Sequence, residues 1–341
     1  KKLLIQLHLF QEDHRKEGNV DKQKYQICGI IFEIDLYSKE YMVEDLFGEP
    51  EPYNVYINYH IVKYNGDKEA DERIIINDTF NTSVALKEES FVINTNISNI
   101  IKKDYNHQFS LFGNKGIVQK YILHILEVKY HRIVFHGCAL INKDNEIIIG
   151  LGQSGSGKSV LINVALQNGW ELLSTEQTVI DDNMFIYKGN VYDNVSPLSE
   201  KLVSEKLTKA IILNNKKLIE PLGQKIFVDM RAYETSSNKV KINFDKLTII
   251  NVNFNGKSQN MCNIEDKDYL LRLFQISASD KISFPTIIEN NLIDFPYIGS
   301  VAVRENVIDT LLKSDAKKII LSNGLEGFEL FFYNREVIKN D

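Results

Sequence analysis

An α/β domain preceded by a smaller β-rich domain is the fold class that this sequence predicts, and three observations predict it. Four stretches in the first third are dense in β-branched and aromatic residues, with Gly, Asn, Asp and Pro clusters between them: YQICGIIFEIDLY (25–37), YNVYINYHIVKY (53–64), ERIIIN (72–77) and SFVINTNI (90–97). From Ile133 the pattern becomes strand, glycine-rich loop, amphipathic helix and strand. That is a βαβ unit, which calls for a right-handed crossover and a sheet covered by helices. The loop itself, GLGQSGSGKS (150–159), is the third observation, since glycines between a strand and a helix let the backbone approach a ligand closely.

The elements follow in order. The opening KKLLIQLHLFQEDHRKE turns charged again within eleven residues and lacks a small-residue cleavage site, so it reads as a strand and not as a signal peptide. After the four β-rich stretches, Val118, Tyr121, Ile122, Ile125 and Leu126 recur at three- and four-residue spacing and predict a helix over 117–130. The strand IVFHGCALI, a turn at Asn142-Lys143-Asp144-Asn145 and the strand EIIIG lead into the loop. A helix with Val160, Leu161, Val164 and Ala165 on one face then ends at Gly169, and the strand WELLS follows. Beyond it, strands are expected at 177–188, 225–229 and 246–254, helices near 198–211, 265–277 and 302–313, and a last strand pair at KKIIL and FELFFY. The division is set at 1–115 and 116–341.

Composition bounds the chemistry. The chain has 341 residues, 43% of them hydrophobic, enough for two domains with real cores. Its net charge of -6, with no long run of either sign, does not favour a nucleic-acid or anionic-membrane surface. No apolar run reaches the length of a membrane span. Cys28, Cys138 and Cys262 lie far apart without CxxC spacing, which fits a reducing cytoplasm and suggests neither a disulfide framework nor a zinc ribbon.

Gly152-Gln153-Ser154-Gly155-Ser156-Gly157-Lys158-Ser159 fits the phosphate-loop pattern G-x-x-x-x-G-K-[ST]. In such a loop the amide N–H groups point at phosphate oxygens at a helix amino terminus that already favours anions. Lys158 would reach the β- and γ-phosphates, and Ser159 would place its hydroxyl on Mg²⁺. The machinery around the loop is narrowed by what is missing: there is no LSGGQ signature and no NKxD-like base reader, and Thr178-Val179-Ile180-Asp181-Asp182 only approximates the acidic strand of a motor ATPase.

The stretch 133–182 resembles the carboxy-terminal domain of HPr kinase/phosphorylase and its related small-molecule and peptide kinases, which share a core with ATP-type phosphoenolpyruvate carboxykinases. The residues that carry the resemblance are His136-Gly137 before the loop, the form of the loop, Gly169 at the helix end and Leu172-Leu173-Ser174 on the next strand. In that family the strand ends in two aspartates, one a catalytic base and the other helping to hold the metal. Here those positions carry Thr175 and Glu176, and a threonine is no general base at neutral pH. Three arrangements answer this: Glu176 acts as base while Ser159 and waters hold the metal; Asp181 or Asp182 takes the role; or nucleotide is bound without transfer.

The resemblance implies an α/β P-loop catalytic domain that is an ATP- and Mg²⁺-dependent phosphotransferase, moving the γ-phosphate to a hydroxyl of a small metabolite or of a peptide or protein serine. The loop residues 152–159 would bind nucleotide, Lys158, Glu176 and His136 would serve catalysis, and Ser159 and Glu176 the metal. The alternative is a nucleotide-binding sensor or interaction protein derived from such a kinase. The amino-terminal domain would select the acceptor or mediate assembly. The family's tendency to oligomerise makes a homo-oligomer plausible. Arg231, two residues after Asp229, would either steady a phosphoryl group or pair with Asp229 or Glu234.

Overall fold

The structure is a computed structural model and describes residues 20–47, 61–87, 90–101, 111–113, 115–195, 201–202, 205–207, 209–213, 226–256, 261–279, 286–289, 291–293, 295 and 299–340. The expected opening strand and most of the 53–64 stretch lie outside the described residues; of the expected 198–211 helix, 201–202 and 205–206 are helical and Ile211 already belongs to a strand.

The β-rich run 25–37 belongs to a hairpin of β1 (Val20–Ile27) and β2 (Ile30–Tyr37). Cys28 and Gly29, at φ 50° and 81°, make the two-residue turn that right-twisted strands prefer. With β3 (Ile61–Lys63), β4 (Glu72–Asp78), β5 (Ser83–Lys87) and β6 (Ser90–Thr95) they form a sheet in the order β3-β1-β2-β4-β6-β5. Alternation sends Ile30, Phe32, Ile34 and Leu36 to one face, where they are buried with Ile74, Ile76, Phe91 and Ile93. A short helix, α1 (Ile97–Ile101), follows β6, and α2 (Ile117–Val128) lays Val118, Tyr121, Ile122 and Ile125 into the same core. Because Val134, Val179 and Tyr187 also join this cluster, the apolar contact runs across residue 115.

The second sheet is built from β7 (Arg132–Ile141), β8 (Ile147–Leu151), β9 (Glu171–Ser174), β10 (Gln177–Asp181), β11 (Phe185–Tyr187), β15 (Lys239–Lys241), β16 (Leu247–Val252), β17 (Met261–Asn263) and β20 (Lys317–Leu321). Its order is β15-β11-β10-β7-β8-β16-β20-β17, with β9 beside β7. The strands β8, β16 and β20 run parallel. One face is covered by α3 (Lys158–Gln167) and α6 (Gly324–Asn340), the other by α4 (Lys267–Ser279) and α5 (Val301–Lys313). The result is three layers around two apolar clusters. A small sheet of β12 (Tyr192–Val195), β13 (Ile211–Leu213) and β14 (Ile226–Asp229) lies on the α3 side.

FELFFY (328–333), expected as a strand, lies within α6. Its buried residues Phe328, Phe331 and Phe332, with the half-buried Leu325 before them, recur at three- and four-residue spacing, and so cover the sheet as a helical face. The chain leaving β8 crosses the sheet on one face through α3, and the chain leaving β16 leads to α4 and α5 on the other. Parallel neighbours whose connections diverge open a crevice at their carboxyl ends, where α/β sheets bind ligands.

The hairpin of β18 (Thr286–Ile288) and β19 (Asn291–Ile293) ties this half of the chain to the first sheet. The carboxylate of Glu289 in its turn accepts hydrogen bonds from Thr82, Thr95, the Asn96 backbone and Asn99. Desolvation by burial works to raise its pKa, but these donors together hold it below the ordinary 4.5. Glu289→Ala is expected to cost about 1.5–3 kcal/mol in urea unfolding, as for hydrogen bonds to a charged group. Because the folded pKa is depressed, this stabilisation is present above pH 4.5 and is lost as pH falls through the folded value, so Glu289→Gln should lose stability relative to wild type at neutral pH and converge with it in acid.

Candidate functional site

The loop leaves β8 at Leu151 and enters α3 at Lys158, with Gly155 and Gly157 at φ 83° and 105°. Both angles lie where side chains are disfavoured, and a Cβ on Gly157 would also stand 2.5 Å from Cβ of Phe254. Phe254, just beyond β16, braces the loop by donating its backbone N–H to the Ser156 carbonyl at 2.8 Å. Gly157→Ala is therefore expected to cost about 1–3 kcal/mol in thermal unfolding. Adding Phe254→Ala should recover only part of it, because the backbone angle remains.

No side chain caps α3 at Gly157, so the helix presents its amino terminus to the loop. Lys158 is buried, and its Nζ donates to the carbonyls of Gly152 (2.7 Å) and Gln153 (3.1 Å), folding the side chain back under the loop. The Ser156 hydroxyl oxygen is buried and has no hydrogen-bond partner. Gln153, Ser154 and Gly155 are exposed at the rim. A glycine cradle, a helix amino terminus and a buried lysine are the donor set that a phosphate chain requires, so these residues fit a nucleotide phosphate.

Ser159, the last residue of the motif, donates its hydroxyl to Oδ1 of Asp193 at 3.1 Å. Asp193 lies on β12, is 3% exposed and was not singled out in the sequence. Thr175 explains how it is held. Its buried hydroxyl reaches the carbonyls of Asn190 (3.1 Å) and Tyr192 (2.7 Å), and its N–H donates to the Asn190 carbonyl at 2.8 Å. Thr175 thus fastens the strand that brings Asp193 to Ser159.

Glu176 stands between β9 and β10, both of which pair with β7. Its Oε2 is 3.3 Å from Nε2 of His136, and its carbonyl accepts from the Gly137 N–H at 3.1 Å. His136 is 4% exposed, while a quarter of the Glu176 side chain (26%) faces solvent, so the pair has a buried end and an open one. Opposite His136 in the register is Gln177, whose amide oxygen accepts from Gln119 of α2 at 3.3 Å. Both glutamines are fully buried.

The other sequence candidates go elsewhere. Asp181 accepts from the Phe185 N–H (2.8 Å) and the Tyr187 hydroxyl (3.0 Å), which shapes the β10–β11 hairpin. Asp182 meets Nδ1 of His131 at 3.1 Å in the same turn. Four residues along β10 from Gln177, Asp181 is about 13 Å farther up the strand at ordinary rise. Arg231 is half exposed and binds Asp229 through Nε and Nη2 at 2.8–3.2 Å, the ion-pair alternative. His124, on α2 and not a site candidate, packs edge-on against Phe295, and burial lowers its pKa. Among the described residues no group of three or more His, Cys, Asp or Glu side chains is arranged to hold a metal.

These elements define a layered α/β unit with a phosphate-loop motif at the carboxyl end of a parallel strand. No family model matches the sequence. The chain is 30% identical over 138 residues to the lacticin-481/lactococcin-DR transport/processing ATP-binding protein of Lactococcus lactis subsp. lactis, a match covering 37% of this chain. It spans 19% of that relative's length. No helix among the described residues is long and apolar enough to cross a membrane.

Proposed function

We propose that this chain binds ATP with Mg²⁺ and transfers the γ-phosphate to a hydroxyl of a small metabolite or of a peptide or protein serine, in the manner of HPr-kinase-like enzymes. The observation that carries the reading is the pairing of Glu176 with His136 on the strands beside a phosphate-loop motif whose lysine is buried beneath it. Likeness to an ATP-binding protein supports the nucleotide part of the reading.

On this reading the loop amides and Lys158 bind the phosphates, and Ser159 contributes its hydroxyl to the cation. Mg²⁺, when bound with the nucleotide, neutralises charge on the phosphoryl oxygens. Glu176 accepts the proton of the acceptor hydroxyl through its solvent-facing end, and His136 holds that carboxylate in place from the buried end. The amino-terminal sheet, which reaches the site through α2 and Gln119, selects the acceptor or assembles copies of the chain.

A second reading, a nucleotide-binding sensor descended from such a kinase, is favoured by one observation: at position 175 a threonine with a fully engaged hydroxyl replaces an acid. Purified protein incubated with [γ-³²P]ATP, Mg²⁺ and a cell extract separates the two. Label on an acceptor that disappears with Lys158→Ala and with Glu176→Gln supports the kinase. ATP binding without transfer to any acceptor supports the sensor, and absence of ATP binding overturns both.

A further inference from the structure

The strand end carries one carboxylate, Glu176, where the resembled kinases have two, and a second, buried carboxylate touches the serine that the motif assigns to the cation. We infer that Asp193, with Ser159, holds the divalent cation of the bound nucleotide, leaving Glu176 to the acceptor. This rests on the nucleotide-binding reading above.

Three observations carry it. The first is contact: Oδ1 of Asp193 lies 3.1 Å from the Ser159 hydroxyl, across 34 residues of sequence. In phosphate-loop NTPases the cation is held by the loop's Ser or Thr together with an acidic residue from elsewhere in the fold. The second is location. Asp193 is 3% exposed and sits on β12, which packs against α3, the helix whose first turn carries Ser159. The third is bracing. Besides Thr175, Asn190 donates its side-chain amide to the Tyr192 carbonyl at 2.9 Å and accepts from the Tyr192 N–H at 3.2 Å. The backbone immediately before Asp193 is thus tied from two residues, as a ligand held in fixed geometry requires.

Asp193→Asn tests the assignment, since asparagine keeps the volume and can still accept from Ser159 but carries no charge. Binding of a fluorescent ATP analogue would be titrated with Mg²⁺ and with EDTA, and Mn²⁺ retained in the complex would be followed by electron paramagnetic resonance. Asp193→Asn is expected to weaken the metal-bound nucleotide by about tenfold or more, since even outer partners of a metal site are worth 10–100-fold. Binding in EDTA should stay unchanged or tighten, because a negative charge near the phosphates is gone. An unchanged ratio of the two affinities, with normal wild-type binding, overturns the role of Asp193 and leaves nucleotide binding standing. Wild-type protein that binds no nucleotide in either buffer overturns the earlier reading and this one with it.

A second measurement needs no variant. Fe²⁺ substituted for Mg²⁺ in the nucleotide complex, with ascorbate and peroxide, cleaves the backbone beside its ligands. Nucleotide-dependent cuts next to Ser159 and Asp193 support the assignment, and cuts next to Ser159 and Glu176 without Asp193 overturn it.

Discussion

Lys158→Ala is expected to reduce phosphoryl transfer by about 10²–10³-fold or more, the usual effect of removing one preorganised positive group from the developing charge. The physical basis is the position of its Nζ. It is held by two loop carbonyls, directly under the loop that would cradle the phosphates. On the proposed reading the loss should appear in the affinity for ATP as well as in the rate, because the same cation would contact ground-state phosphates. Lys158→Arg should recover little, since a planar fork does not fit a buried point-charge position. Equilibrium binding of ATP with single-turnover transfer checks both halves; a variant that transfers label at the wild-type rate would remove Lys158 from the mechanism.

Glu176→Gln is expected to lower transfer by about 10²–10⁴-fold, the range for loss of a positioned general base. Here the effect should split the other way, with the rate falling while ATP affinity stays near wild type, if the carboxylate acts on the acceptor as proposed. His136→Gln should lie between wild type and Glu176→Gln, since it disturbs the orientation of Glu176 and leaves the carboxylate itself in place. Steady-state kinetics with ATP binding measured separately resolves the split. Equal losses in affinity and rate for Glu176→Gln would instead make it part of the nucleotide site.

How much of this was legible in the sequence depended on the range of the interactions. The loop, its preceding strand and its following helix are encoded in one short contiguous stretch, Ile147 to Gln167, by glycine, apolar runs and helical spacing, and β8 and α3 fall where those patterns place them. The strands β4, β6, β16 and β20 and the helices α4 and α5 are likewise local in origin. FELFFY was misread because a six-residue apolar run suits both a strand and a helix, and only the position of its aromatics against the sheet decides. Asp193 was not legible at all. It sits in a four-residue strand without a distinctive pattern, and its meaning comes from a partner 34 residues away. The contact between His136 and Glu176 likewise depends on register, Gln177 lying opposite His136, which pairing across the sheet sets and no short pattern announces.

The apolar cluster shared by the first sheet, α2 and the strands β7 and β10 has a thermodynamic consequence. A core that several elements complete together is opened only at a cost felt by all of them, so the two sheets behave as one cooperative unit. The backbone amides of β2, β4, β7 and β10 should then exchange with solvent in concert, at free energies close to that of global unfolding. Anything seated on the amino-terminal sheet would stabilise the strand carrying His136 by mass action alone, with no displacement of a single atom in the phosphate loop.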